Sequence, residues 1–505
     1  MNKKLLSVPM MAALMASCAG GDDDSASKRP NVIVILCDDL GYGDVSAYGS
    51  TTISTPNVDS LAHGGVCFNN AYSSSATSTP SRYALMTGMY PWKNERAKIL
   101  NGDAPLIIAP EGYTLPKMMK NAGYVTGAIG KWHLGMGEGN VDWNSIISPG
   151  AKEVGFDYSC VIAATVDRVP TVYIENGEVV GREADDPIYV DYVNKFDDEP
   201  NAIDNPELVR MMWSNGHNQA VINGIPRIGY MKGGKKARWI DEDMADYFVD
   251  KVKTFLNENK DKPFFLYYGL HQPHVPRTPH QRFVGATTMG PRGDAIAELD
   301  WCVGELMAEL RRLDLLENTI IVFSSDNGPV LDDGYADQAV ELIGNHQMCG
   351  GLRGGKYSLY DGGTHIPLFV YWKNHIKPTT SNALVCQMDL VNSLAALVDQ
   401  PVRPELDSKA MLDVFLGKSQ KGRDELVLEA AGRLCYRKGD WALIPPYDGP
   451  KFMETEYGNL DDFGLFNLSA DRGQQNNVAE QNPEKLEEMK SDMHKAVQNY
   501  YNALK

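Results

Sequence analysis

Asn31-Val-Ile-Val-Ile-Leu-Cys37, followed at once by Asp38-Asp39-Leu-Gly-Tyr-Gly-Asp44, is the stretch on which the fold turns. An unbroken apolar run rich in β-branched residues reads as a strand buried on both faces of a parallel sheet. A strand wetted on one side would alternate instead. Pro263–Tyr268, Thr319–Phe323 and Pro367–Trp372 repeat the pattern. Between them lie helical patterns over Thr114–Ala122, Asp241–Asn257 and Ala295–Leu313, with apolar residues three and four apart. The alternation predicts an α/β fold, a large central mostly parallel β-sheet flanked by helices.

Beyond about Pro401–Arg423, a polar and irregular stretch, the pattern changes. Glu425–Glu429, Leu434–Arg437 and Trp441–Ile444 read as short antiparallel strands, and a charged helix follows over Pro483–Tyr500. This predicts a smaller C-terminal α+β subdomain over 406–505, after a main domain over 30–405. The 505 residues suit that division, at about three times the ~150 of an ordinary domain. With 43% hydrophobic and 23% charged residues, the chain is neither largely disordered nor a multispan membrane protein. Asp and Glu outnumber Lys and Arg by 66 to 48, a formal charge of −18, which argues against a nucleic-acid binder. Small anionic substrates stay open, because a few converging cations can override the bulk field.

Ligands of open α/β sheets sit beyond the carboxyl ends of the strands. Here Asp38-Asp39 ends the first strand, and Thr319–Phe323 leads through Ser324-Ser325 into Asp326-Asn327-Gly328. Successive strand side chains point to opposite faces, so both carboxylates of Asp38-Asp39 converge only if the strand stops there. Three carboxylates and an amide oxygen form a hard-oxygen set suited to Ca²⁺ or Mg²⁺ rather than zinc. Asp and Asn before Gly are also ordinary turn formers. Two such groups at the ends of buried runs are what point to a site.

Ser78-Thr79-Pro80-Ser81-Arg82-Tyr83-Ala84-Leu85-Met86-Thr87-Gly88 reads locally as a helix starting near Pro80, capped by the Ser/Thr-rich loop before it. The string also resembles the Cys/Ser-x-Pro-Ser-Arg-x-x-x-Leu/Met-Thr-Gly signature of the formylglycine-dependent (type I) sulfatases. These belong to the alkaline-phosphatase-like superfamily, and Ser78 marks a serine-type bacterial member. Gly130-Lys131-Trp132-His133-Leu134-Gly135 resembles the family's Gly-Lys-Trp-His-Leu-Gly segment, and His271-Gln-Pro-His274 its Pro-His site. Gly355-Lys356, with Asp361-Gly-Gly-Thr-His365-Ile-Pro367 beyond it, is similar to the family's Gly-x-Lys…Glu-Gly-Gly-x-Arg-x-Pro. Asp361 and His365 depart from the Glu and Arg of that pattern and bear on the loop's support.

The resemblance implies that Ser78 is oxidised to formylglycine (3-oxoalanine), whose hydrate is a geminal diol. A plain serine would form a sulfate ester with no easy exit. A diol attacks with one hydroxyl and eliminates sulfate with the other. One Ca²⁺ is implied on Asp38, Asp39, Asp326, Asn327 and the modified Ser78, in a Lewis-acid role. Arg82 would hold the diol and offset charge, and Lys131 and Lys356 would grip sulfate oxygens. His133 would be the base for elimination, and His274 with Lys356 would protonate the departing sugar oxygen. A serine precursor implies an anaerobic sulfatase-maturating enzyme as partner.

The implied reaction is hydrolysis of O-sulfate esters on a sulfated glycan or monosaccharide. Ala164–Tyr173, Asn215–His217 and Asn223–Lys232 resemble substrate-facing segments of members acting on sulfated galactose or N-acetylgalactosamine. Asp167, Arg168 and His217 are the expected sugar contacts, with 6-O-sulfate as the first expectation. The same stretches also read as an irregular surface insertion. Trp213, Tyr360 and Trp441 suit either stacking platforms or core. Two other functions fit the outline: a phosphate mono- or diester hydrolase of the same superfamily, and a non-catalytic surface glycan-binding lipoprotein with Ser78 unmodified.

Lys3 and Lys4 precede an apolar run, Leu5–Ala16, in the order of a secretory signal and too short to span a bilayer. Met15-Ala16-Ser17-Cys18 resembles a bacterial lipobox, implying a signal peptide over 1–17 and lipidation at Cys18. The acidic Asp22-Asp23-Asp24 within the 18–29 linker resembles the surface-export signal of Bacteroidota lipoproteins, and it suits a plain solvated linker equally. The expectation is an envelope lipoprotein of a Gram-negative bacterium, periplasmic or at the outer-membrane surface, touching membrane only through its anchor. The other seven cysteines show no CxxC spacing and read as small buried hydrophobes.

Overall fold

Asn31–Cys37 is a strand with every residue buried, in the middle of a ten-stranded sheet. The computed structural model describes residues 29–449 and 456–503, so the signal peptide, Cys18 and all but the end of the acidic linker lie outside the described residues. Parallel pairing joins Asn31–Cys37 to Phe264–Gly269 on one side and to Thr319–Ser325 on the other. Val125–Lys131 and then Tyr158–Ile162 continue the parallel set beyond Phe264–Gly269. Leu368–Trp372 corrects the expectation of a parallel strand, because it runs antiparallel to Thr319–Ser325. The chain leaves that strand, makes the loop carrying Lys356, and re-enters the sheet from the same end, so it must run back down.

The strand's alternation divides the core. Ile33, Ile35 and Cys37 pack against the helices Pro56–Gly64, Met244–Asn259 and Gly290–Arg312 through Leu61, Phe248 and Leu299. Val32, Val34 and Leu36 face the other layer, including Leu85, Met118 and Leu394 from helices Ser78–Thr87, Leu115–Asn121 and Leu390–Leu397. Each such buried side chain contributes about 1.5–3 kcal/mol relative to exposure. The helix expected near Pro80 begins at Ser78, with Thr77 in extended conformation as its cap residue. Pro80 is harmless there, since the first N–H groups of a helix have no intrahelical partner.

The second sheet has four antiparallel strands in chain order, Glu425–Ala430, Arg433–Lys438, Trp441–Ile444 and Gly464–Asn467, covered by the helix Pro483–Ala503. Its core residues Leu426, Tyr436, Leu443 and Leu465 join Tyr72, Ala76 and Tyr360 of the main domain. Ala76 N–H donates to the Glu429 carbonyl at 2.8 Å, and Glu429 N–H to the Ser74 carbonyl at 3.1 Å. The small sheet thereby holds the loop that leads into Ser78. No helix among the described residues is long and apolar enough to cross a membrane. Their seven cysteines are all unpaired, six of them buried.

Candidate active site

The two strands Asn31–Cys37 and Thr319–Ser325 stop at the same level, with Cys37 opposite Ser325. Asp38 and Asp326 therefore emerge side by side, and Asp326 N–H donates to the Cys37 carbonyl at 3.1 Å. Asp39 has φ 64, the left-handed region, which turns it out of the strand's alternation. Its N–H donates to Asp326 Oδ1 at 3.2 Å and its Oδ1 accepts from Asn327 Nδ2 at 2.8 Å. All four side chains are buried, so three carboxylates and an amide crowd one dry corner.

Ser78 heads its helix toward this corner, with Oγ 3.2 Å from Asp38 Oδ1 and 3.4 Å from Asn327 Oδ1. Lys131, the last residue of its strand, donates from Nζ to Asp38 Oδ1 at 2.7 Å and to Ser78 Oγ at 2.8 Å. Lys356 donates to Asp39 Oδ2 at 2.8 Å and Asp333 Oδ2 at 2.7 Å. Arg82 offsets charge, and does so at Asp326. Among the described residues its hydrogen bonds go to Asp326, at 3.0 and 2.7 Å, to the Tyr267 hydroxyl and to the Lys131 carbonyl, not to Ser78. The helix carries Arg82 one turn beyond Ser78 and away from the pocket mouth, where a carboxylate satisfies its fork bidentately.

His133, with φ 56, places Nε2 at 3.0 Å from the Leu100 carbonyl. That contact puts the proton on Nε2 and leaves Nδ1 bare, buried and without a partner. His274 places Nδ1 2.6 Å from the Val275 carbonyl and Nε2 3.8 Å from Asp39 Oδ2. Asp167 accepts from His217 Nε2 at 2.7 Å and from Arg168 Nη1 at 3.1 Å. Ser78, His133, Asp167, Arg168, His217, His274 and Lys356 line one small pocket of about 330 Å³.

Electrostatics follow from burial. Dehydration pushes the Asp326 carboxyl up, but Arg82 and Lys131 outweigh it and hold it far below the ordinary carboxylate range. Asp38, with less compensation, is raised by burial. Burial lowers Lys131, and Asp38 only partly offsets this. Lys356 is instead raised well above an ordinary lysine, because Asp333 and Asp39 together overcome its burial. Burial, then the charges of Lys131 and Arg168, drive His133 well below its usual 6.5, so the ring is neutral. His217 is raised because its bond to Asp167 outweighs burial.

The corner fits a hard cation. Asp38 Oδ2 is buried with no hydrogen-bond partner, and the donors are mainly oxygen. Oxygens of Asp38 and Asp39 and a ring nitrogen of His274 also lie within 4.8 Å of one another. Asp326 turns its Oδ2 onto Arg82 and its Oδ1 toward the Asp39 N–H. The oxygen set of Asp38, Asp39, Asp326 and Asn327 suits Ca²⁺ better than a set containing imidazole.

Asp333, Tyr357, Thr77 and Ile99 also line the pocket and carry no sequence signal of their own. Asp333 sits in an Asp-Asp-Gly turn, and Tyr357, with φ 70, donates its hydroxyl to Asp333 at 2.9 Å. Burial raises Asp333, but Lys356 reverses this and brings it down to about 2. Asn223–Lys232, expected to face substrate, contributes no residue to the lining of this pocket. It forms the short strands Ile225–Pro226 and Tyr230–Lys232 and braces Asp167 from behind, Ile228 N–H donating to the Asp167 carbonyl at 2.8 Å. Trp213, Tyr360 and Trp441 stay out of the pocket, and Tyr360 packs edge-on against Phe466. Asp361 and His365 preserve a buried pair at 2.9 Å, so the two departures keep the loop's support.

Residues 30–400 match the family model for sulfatases. The chain is 50% identical over 470 residues to the N-acetylgalactosamine-6-O-sulfatase of Bacteroides thetaiotaomicron, 92% of each protein. It is 30% identical over 425 residues to human arylsulfatase A, 82% of this chain and 72% of that protein. A structure solved in work on the metabolism of multiple glycosaminoglycans by B. thetaiotaomicron superposes with a TM-score of 0.92 at 50% identity. That match covers 94% of this chain and all of the other.

Proposed function

The chain belongs to the sulfatase family and is a sulfuric ester hydrolase, and on that premise we propose that it removes 6-O-sulfate from N-acetylgalactosamine or galactose in a glycosaminoglycan-type glycan. One observation carries the sugar assignment: half of all positions are shared, over nine-tenths of both chains, with an N-acetylgalactosamine-6-O-sulfatase. The pocket supports it, because the paired polar side chains Asp167 and His217 line it together with Ser78, where a sugar's hydroxyls would lie.

In this reading Ser78 is converted to formylglycine, which supplies a nucleophilic hydrate with a built-in release step. Asp38, Asp39, Asp326, Asn327 and the modified Ser78 would hold Ca²⁺, which would supply a Lewis acid for sulfate. Lys131 and Lys356 flank the reacting position and stabilise charge developing on sulfate oxygens. His133 takes a proton on its bare Nδ1, while the Leu100 carbonyl keeps the ring oriented. His274, with Nδ1 anchored on the Val275 carbonyl, delivers a proton from Nε2 to the departing sugar oxygen, and Asp39 Oδ2 stands 3.8 Å from that nitrogen. Arg82 does not touch the reacting atoms. It neutralises Asp326 and so positions the carboxylate corner.

Lys3, Lys4, the apolar run and Cys18 support export as a lipid-anchored envelope protein matured by an anaerobic sulfatase-maturating enzyme. The test is sulfate release from O-sulfated galactose, N-acetylgalactosamine and N-acetylglucosamine, with enzyme co-expressed with that maturase and Ser78→Ala as control. Release from the 6-sulfated galacto sugars by matured wild type alone is the expected result. A protein that has lost two hydrogens at residue 78 yet releases no sulfate from those sugars would overturn the sugar assignment.

A further inference from the structure

Arg437, on the second strand of the small sheet, is a buried guanidinium with incomplete hydrogen bonding outside the catalytic pocket. It is 6% exposed, and its guanidinium lies 4.5 Å from the Tyr72 ring centroid. The nearest carboxylate oxygen, Asp361 Oδ1, is 3.6 Å from Nη1, beyond hydrogen-bond reach. Both Asp361 oxygens are already taken, by the Tyr72 hydroxyl and the His365 ring. Nη1 is buried with no hydrogen-bond partner, and Nε reaches only the Gly439 carbonyl at 3.5 Å. A guanidinium has five donors and stays charged, so one loose ion pair at 3.6 Å leaves most of its donors unused.

A cleft of about 1,340 Å³ opens in front of this group, and Arg472, Asn69, Asn70 and Ser469 also line it. Arg472 is exposed and lies over the Tyr42 ring at 5.1 Å. Asp440 at the rim is exposed and offsets part of the positive charge. The wall toward the catalytic pocket is the Asp361–His365 turn laid against Tyr72–Ser75, with Ser73 N–H donating to the Thr364 carbonyl at 2.9 Å. The cleft and the catalytic pocket share no lining residue.

We propose that this cleft is a second carbohydrate site, taking a sugar that bears a sulfate or carboxylate. Arg437 and Arg472 pair with the anionic group through their planar forks, and the Asn69 and Asn70 amides meet ring hydroxyls. Occupancy supplies the hydrogen-bond partner that Nη1 of Arg437 lacks and tethers a polymeric substrate to the enzyme, raising its effective concentration at the catalytic pocket. The inference rests on the glycan reading above, not on turnover at Ser78.

The test is isothermal titration calorimetry on the full chain carrying Ser78→Ala, with a sulfated galactosaminoglycan hexasaccharide, N-acetylgalactosamine 6-sulfate and inorganic sulfate as three probes. Adding Arg472→Ala or Arg437→Gln is expected to weaken hexasaccharide binding at least tenfold and leave monosaccharide binding unchanged. Hexasaccharide binding untouched by either change overturns the proposal. Sulfate alone binding in the cleft as tightly as the hexasaccharide overturns its carbohydrate part. Arg472 is exposed, so its variant decides the matter if Arg437→Gln fails to fold. Loss of monosaccharide binding in the parent chain counts against the catalytic-site reading instead.

Discussion

Lys131 Nζ stands 2.8 Å from Ser78 Oγ while bonding Asp38 at 2.7 Å, so one ammonium ties the reacting residue to the carboxylate corner. Lys131→Ala is expected to lower kcat/KM by about 10²–10³-fold, the usual effect of losing one transition-state donor. It also strands the buried Asp38 charge, and stability in the metal-free chain should fall by about 3 kcal/mol. Steady-state kinetics and thermal unfolding with and without Ca²⁺ check the two effects, and added Ca²⁺ should recover part of the stability but not the rate.

His133→Ala should lower kcat by about 10²–10⁴-fold with little change in KM, as expected for a lost general base. The ring works only when neutral, and burial with Lys131 and Arg168 depresses its folded value well below 6.5. Activity that depends on this neutral base holds above that depressed value and falls as pH drops through it. An acid limb in kcat at or above 6.5 would assign the base elsewhere.

Chelation should abolish turnover, and Ca²⁺ should restore it more fully than Mg²⁺, whose strict octahedral demand fits this corner less well. With Ca²⁺ at about a hundred times its Kd, unfolding should shift by about 2.7 kcal/mol. Asn327→Ala and Asp39→Asn should each reduce that shift in a calorimetric scan.

His217→Ala should raise KM for a 6-sulfated galacto sugar about tenfold, one hydrogen bond's worth, with kcat nearly unchanged. Asp167→Asn should do more. It removes the carboxylate that faces both His217 and Arg168 and leaves the buried guanidinium undercompensated. Comparing gluco and galacto epimers of the sulfated sugar shows whether the pair reads sugar configuration or only closes the pocket.

The central strands were legible because burial on both faces forces continuous apolar runs, and Asp38, Asp39, Asp326 and Asn327 stood out as polar residues ending those runs. Ser78, Lys131, His133, His274 and Lys356 needed motif resemblance, since a lone lysine or histidine looks like any other. The antiparallel course of Leu368–Trp372 was hidden, because a fully buried strand reads alike in either direction. Asp333 and Tyr357 were hidden for another reason: their importance comes from facing Lys356 across a turn, and a single sequence does not encode that proximity. Arg82 was found from its motif, but the carboxylate that its fork reaches, Asp326, was not, since helical spacing gives only its distance along the axis from Ser78.

Ser78 is 3% exposed, and one wall of its nest is Asn327, 249 residues further along the chain. At 5–20 residues per second, a ribosome needs roughly 12–50 s to travel from one to the other. Through that interval Ser78 has no finished pocket to disappear into. Any catalyst that must grasp this serine in an extended segment therefore works against a clock, and the synthesis of Asn327 marks when the window begins to shut.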